Sequence, residues 1–166
     1  MTISNAYPII DGMAPSWADI VVSLTPKGAP LIKTQGIKSI KRTRTVTVGE
    51  QKGATGGQVV KHTAGELKLG LDLELYRDEW NSMIEKFAAL APKRGNQVAI
   101  RYVVFGIQVQ HTPFGSSRIY DWRAKGCFLL GDTLDAKEGT EADTVAVPVG
   151  VKQIVDMING VEVVYL

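Results

Sequence analysis

The chain has 166 residues, enough for one domain that buries its own core without a metal or a disulfide. Hydrophobic residues make up 45% and charged residues 22%, which excludes disordered and collagen-like chains. The formal net charge of +2 is too small to argue for nucleic acid, and the single cysteine, Cys127, excludes an internal disulfide or a cysteine-based zinc cluster within one chain.

Met1 to Pro15 reads as an N-terminal arm and residues 16–166 as a single domain. The arm has neither the basic start nor the apolar stretch of a secretory leader, and no apolar run approaches the ~20 residues of a bilayer span. Both features predict a chain that is cytoplasmic where it is made. Ala18 to Leu24 predicts a first strand, closed by the turn Pro26-Lys-Gly-Ala-Pro30. Ile37 to Val48 predicts a second strand, basic through Lys38, Lys41, Arg42 and Arg44. Thr43, Thr45 and Thr47 fall on one of its faces and Arg44, Val46 and Val48 on the other, so it lacks a clean apolar face and is expected to run beyond the body of the domain. Gly49 to Gly57 holds four glycines in nine residues and predicts a mobile hairpin tip. It lacks the Gly-Lys-Ser/Thr ending of a phosphate loop, and no helical pattern follows.

From Glu66 to Tyr76 leucine occupies every odd position from Leu67 to Leu75, with Glu66, Lys68, Asp72 and Glu74 between. Period two sends the leucines to one face and the charges to the other, as in an antiparallel sheet with one wet side. The period then becomes helical: Trp80, Met83, Ile84, Phe87 and Leu90 form one stripe, with Asp78 and Glu79 in the first turn and Pro92 and Gly95 as stops. This predicts a helix over 78–90 packed on a sheet. Gln97 to Gln110 predicts a central strand, apolar on both faces around Tyr102 to Phe105. His111 to Gly115 predicts a turn, and Ser117 to Leu130 a strand interrupted at Ala124-Lys-Gly126. Asp132 to Asp143 reads as an acidic loop, and Thr144 to Ile158 alternates again, with Pro148 pointing to an edge or a bulge. Asn159-Gly160 predicts a two-residue hairpin turn into a last strand, Val161 to Tyr165.

Charge is distributed in blocks. Residues 37–68 carry seven basic and two acidic side chains, residues 91–130 six and one, and residues 131–166 two and seven. Ordinary solvated faces account for such blocks; so does a basic surface of one copy meeting an acidic surface of the next. Catalytic chemistry finds little support. His62 and His111 flank turns, Cys127 sits in an apolar run, and no set of acids, histidines or cysteines has the spacing of a metal site or a nucleophilic triad. No cofactor is implied. The basic stretch 38–44 has no interleaved aromatic residue on which bases would stack, so a contact with an acidic neighbour is favoured over DNA binding.

The order of these elements resembles a known family. Gly36-Ile-Lys-Ser-Ile40 opens a long hairpin with the Gly-rich tip 49–57; His62-Thr-Ala-Gly-Glu66 enters the alternating strand; Glu79-Trp80 opens the helix. Ser117-Arg-Ile-Tyr-Asp121, Lys125-Gly-Cys127, Glu138-Gly-Thr-Glu-Ala-Asp143, the valine strand and Ile158-Asn-Gly160 follow. Over residues 16–162 this is similar to the tail tube proteins of contractile-tailed bacteriophages, a superfamily shared with related contractile injection machines. The resemblance implies a mainly β (α+β) domain, an antiparallel sandwich or barrel with one flanking helix and a long extended hairpin. It implies a structural virion protein with no enzymatic activity, whose hexameric rings stack into the inner tube of the tail and enclose a channel for DNA. Its partners would be further copies of itself, the tail sheath, baseplate and tape-measure proteins, and DNA that passes without specific binding.

Carried onto this chain, Lys38, Lys41, Arg42, Arg44, Gly49, Lys52, Gly53, Gly56 and Gly57 are expected at contacts between subunits and rings. Glu66, Lys68, Asp72 and Glu74 are expected to face the channel, because carboxylates there repel phosphates whereas a basic lumen would hold them. Two alternatives stand beside this reading: a baseplate initiator or tube-terminating ring of the same fold, and a small β-barrel ligand-binding module or enzyme.

Overall fold

In the computed structural model, residues 20–34, 36–52, 59–111, 119–136 and 142–164 are described. Twelve strands and one α-helix follow in chain order. β1 (Ile20–Pro26) and β2 (Ile32–Thr34) form a first hairpin, and β3 (Ile37–Lys52) and β4 (Val59–Tyr76) a much longer one. α1 (Arg77–Leu90) leads to the short pair β5 (Lys93–Arg94) and β6 (Gln97–Val98), then a 3-10 turn, Ile100–Tyr102. β7 (Phe105–His111), β8 (Tyr120–Leu129), β9 (Thr133–Asp135), β10 (Thr144–Gly150), β11 (Gln153–Ile158) and β12 (Val161–Val164) complete the chain.

Ten strands belong to one open antiparallel sheet of order β2-β1-β7-β8-β10-β4-β3, with β11 and β12 branching from β8 and β9 lying on β10. The sheet folds over at β8. Its first half pairs with β11 and its last residues with β10, and the register to β7 slips between Phe105↔Cys127 and Ile107↔Ala124. Gly126 takes the extra residue at φ 65°, a backbone state that a side chain would strain. The interruption expected at 124–126 is therefore a bulge inside a continuous strand.

The two layers enclose one core. Leu71, Leu73, Leu75, Val145, Val147 and Val149 come from β4 and β10, and Leu24, Phe105, Ile107, Val109 and Ile154 from the other layer. α1 closes it with Trp80, Met83 and Phe87, the last with its ring centroid 5.1 Å from that of Phe105. The leucine alternation thus behaves as expected, although only its C-terminal three leucines are buried; Leu67 and Leu69 are half-buried where the strand leaves the body.

Several expectations need correction. The segment 97–110 is not one strand: Val103, Phe105, Ile107 and Val109 are buried at period two, while Tyr102 and Val104 are exposed in the approach to β7. β7 is central, between β1 and β8, but Gly106, Gln108 and Gln110 on its other face are only half-buried. Pro148 lies in an interior strand. Its carbonyl accepts from Leu130 N–H, so its nitrogen, which has no hydrogen, points to the same side, where β10's neighbour changes from β9 to β8. Part of the acidic loop, Thr133–Asp135, is strand. Asn159 and Gly160 make the expected tight turn, with φ of 51° and 79°.

Candidate assembly surfaces

The β3–β4 hairpin is the largest feature that the core does not require. Its register runs from Ile37↔Leu75 to Lys52↔Val59, so the strand extends four residues beyond the expected end at Val48, and Gly49 pairs with Thr63 inside the ladder. Of the expected tip, Gly53, Gly56 and Gly57 fall outside the described residues. Residues 45–51 are exposed on both faces, as are His62, Thr63, Gly65 and Glu66 opposite them, so this ribbon stands clear of the body. It turns at a bulge: Thr47 alone faces Gly65 and Glu66, and a Cβ at Gly65 would strike the Thr47 carbonyl oxygen. β3 ends the sheet, and its outer edge carries no strand among the described residues. At roughly 3.3 Å per residue, its 16 residues present about 50 Å of unpaired backbone.

Cross-strand pairs share a face, so the register sorts the charged residues. Lys68, Asp72 and Glu74 project from the face opposite the leucines, and Glu66 is exposed at the bulge. The basic stretch does not act as one patch. Lys41 lies opposite Asp72 on the wet face, and Lys38 Nζ donates to Glu74 at 3.2 Å while Ser39 Oγ donates to the same carboxylate at 3.3 Å. The Lys38 bond holds the Glu74 carboxyl below its ordinary value. Around the Lys38–Glu74 ion pair and the Lys41 and Asp72 neighbours the wet face is built of small groups, Thr43, Thr45, Gly70, Ala146 and Pro148. The result is a face of small residues on which both signs of charge stand close together.

Arg42 and Arg44 point the other way, in register with Leu71 and Leu69. Both donate to Asp156 on β11: Arg44 Nη2 to Oδ2 at 2.6 Å, and Arg42 Nη1 to Oδ1 in a shorter contact. The Arg42 guanidinium also lies 4.9 Å from the ring centroid of Trp122, the cross-strand neighbour of Asp156. Partial burial pushes the Asp156 carboxyl up, but the two guanidiniums outweigh it and hold the carboxyl below its usual range. Sequence reasoning missed Asp156 and Trp122: they lie 112–114 and about 80 residues from the arginines they meet, and no local period links them.

Large apolar side chains are exposed at many points, including Leu130 at 62% and Val161 at 63%. An open groove beside the β11–β12 turn is lined by apolar Ile119, Tyr120 and Ile158 and by polar Gln110, Asp121 and Arg123. Asp121 accepts there from Gln108 Nε2 at 2.9 Å and Arg123 Nη2 at 3.0 Å. Among the described residues no three His, Cys, Asp or Glu side chains converge as a metal site. Cys127 is buried, and burial pushes its thiol up to about 12. No described helix is long and apolar enough to cross a membrane.

No protein-family model matches the chain, and no curated protein matches it in sequence. Solved structures do. A chain of an extracellular contractile injection system, the sheath–tube complex in its extended state, superposes with a TM-score of 0.58 at 12% identity, covering 86% of this chain and 90% of the other. A chain of the sheath/tube terminator of such a system gives 0.60 at 13% identity, covering 93% and 100%. A chain of the tube-terminating cap of an anti-feeding prophage gives 0.61 at 15% identity, covering 93% and 98%. The protein shares the fold of these chains. It is mainly β, with one helix and one extended hairpin among the described residues, and the structures that share this fold are a sheath–tube complex, a sheath/tube terminator and a tube-terminating cap.

Proposed function

We propose that this protein is the inner-tube subunit of a contractile phage tail, its copies forming hexameric rings that stack around a channel for DNA. The observation that carries the reading is the β3–β4 ribbon: a 16-residue strand with an exposed end, whose outer edge carries no strand among the described residues, on a fold shared with chains of a sheath–tube complex and a sheath/tube terminator. A monomer has no use for such an edge and every reason to block it, whereas closure into a ring removes it. The ribbon, with Gly49 and Lys52 along it, makes the contacts between copies, while Arg42 and Arg44 at its root are held within the chain by Asp156 and Lys38 and Lys41 stand on the wet face. The face carrying Glu66, Lys68, Asp72 and Glu74 lines the channel. Pairing with Lys38 and Lys41 keeps that face close to neutral, so it neither holds phosphate by counterion release nor strongly repels it.

Sheath, baseplate and tape-measure proteins are the remaining partners, the virion is the final location, and the role is architectural. Electron microscopy of the purified full-length protein tests the reading. Long hollow rods with six-fold rings support it. Single rings favour a terminator or initiator, the reading to which the near-complete coverage of the terminator and cap chains points. Protein that stays monomeric at millimolar concentration would falsify both.

A further inference from the structure

The inner face of β3 changes character along its length. Ile37 is buried in the core and Ile40 packs against it; Arg42 and Arg44 follow on the same face, and Val46 and Val48 beyond them are exposed. On β3 the arginines are therefore the last side chains to meet the body, with Leu67 and Leu69 of β4 beside them. Charged groups this close to a core need a fixed counter-charge, and Asp156 supplies one oxygen to each guanidinium. Asp156 and Trp122 belong to the opposite layer, so the cluster spans the mouth of the sandwich.

We infer that Asp156, seated beside Trp122, is a positioning residue: an ionic clamp that sets the direction in which the β3–β4 ribbon leaves the domain. Two guanidiniums two residues apart on one face repel each other once the carboxylate is neutralised. The root of the ribbon then swings away, while the core below it, closed by Leu71, Leu73 and Ile37, stays packed. A clamp made of charge fixes an angle as apolar contacts would, but one carboxylate shared between two guanidiniums, an oxygen to each, tolerates few orientations. The inference deepens the tube reading, since the ribbon must point correctly to meet a neighbouring copy, yet it concerns the single chain and is measured there.

The test is the distance distribution between spin labels on Gln51→Cys at the far end of β3 and Glu85→Cys on the exposed side of α1, with the buried Cys127 left unlabelled. The otherwise native chain is expected to give one narrow distribution. Asp156→Asn is expected to widen it to more than about twice that breadth, and Asp156→Glu to restore it. An unchanged distribution in Asp156→Asn overturns the clamp, and so does an Asp156→Glu variant as broad as Asp156→Asn. Should Asp156→Asn fail to fold, the uncharged Arg42→Gln, Arg44→Gln, Asp156→Asn triple variant replaces it under the same criteria. Failure of the tube reading is seen separately, as absence of rods in the unmodified protein.

Discussion

Gly65 is the position where one methyl group should disable the ribbon and leave the domain intact. At the bulge, Thr47 faces two residues, and a Cβ on Gly65 would occupy the space of the Thr47 carbonyl oxygen. Backbone has to move, at a cost of about 1–3 kcal/mol. Five register pairs lie beyond the bulge, Val48↔Ala64 to Lys52↔Val59, and no core residue supports them. With net hydrogen-bond contributions of about 0.5–1.5 kcal/mol each, and two-stranded ribbons marginal by themselves, Gly65→Ala removes much of what keeps this segment paired. Hydrogen exchange reads this directly: amides of 48–52 and 59–64 should exchange about ten- to a hundredfold faster, while those of β1, β7 and β10 keep their protection. Gly70→Ala is the control. Its added methyl would sit 3.7 Å from Thr43 Cβ, an ordinary contact, so it should be neutral or stabilising by up to about 1 kcal/mol. Equal behaviour of the two variants, or faster exchange spread over the core, would refute the reasoning.

Other perturbations address the core, the acid response and the thiol. Phe87→Ala removes a side chain with 0% exposure that packs on Phe105, and should lower the unfolding free energy in urea by about 3–5 kcal/mol; a loss below about 1 kcal/mol would mean that α1 does not seal the core. Because the folded-state carboxyl of Asp156 is held below its ordinary value, its contribution is present above the unfolded value and is lost as pH falls through the folded one. Acid titrations of stability should therefore fall less steeply for Asp156→Asn than for the unmodified chain between about pH 5 and 2, and parallel curves would contradict this. Cys127, with its thiol near 12, should resist maleimide at pH 8 in the folded protein and react at once in denaturant; labelling of the native chain at the rate of a free thiol would place Cys127 at the surface instead.

Patterns that depend on neighbours in sequence were legible without coordinates. The alternating leucines, the helical stripe of Trp80, Met83 and Phe87, and the Asn159-Gly160 turn each encode geometry within a few residues, and period alone decides which side is dry. The poor amphipathicity of 37–48 likewise disclosed a strand that outruns its domain, because a strand without an apolar face has no single layer to lie on. Tertiary structure decided the rest. That Lys41 shares a face with Asp72 while Arg42 and Arg44 meet Asp156 depends on register and on the fold of the sheet at β8, which join residues more than a hundred positions apart. A one-residue slip would exchange the two faces, and no local rule counts residues across a ladder. The Tyr102–Phe105 run misled for the same reason: an apolar tetrapeptide carries no record of whether a sheet or a turn receives it, and here burial of Val103 and Phe105 in the core left Tyr102 and Val104 to the surface.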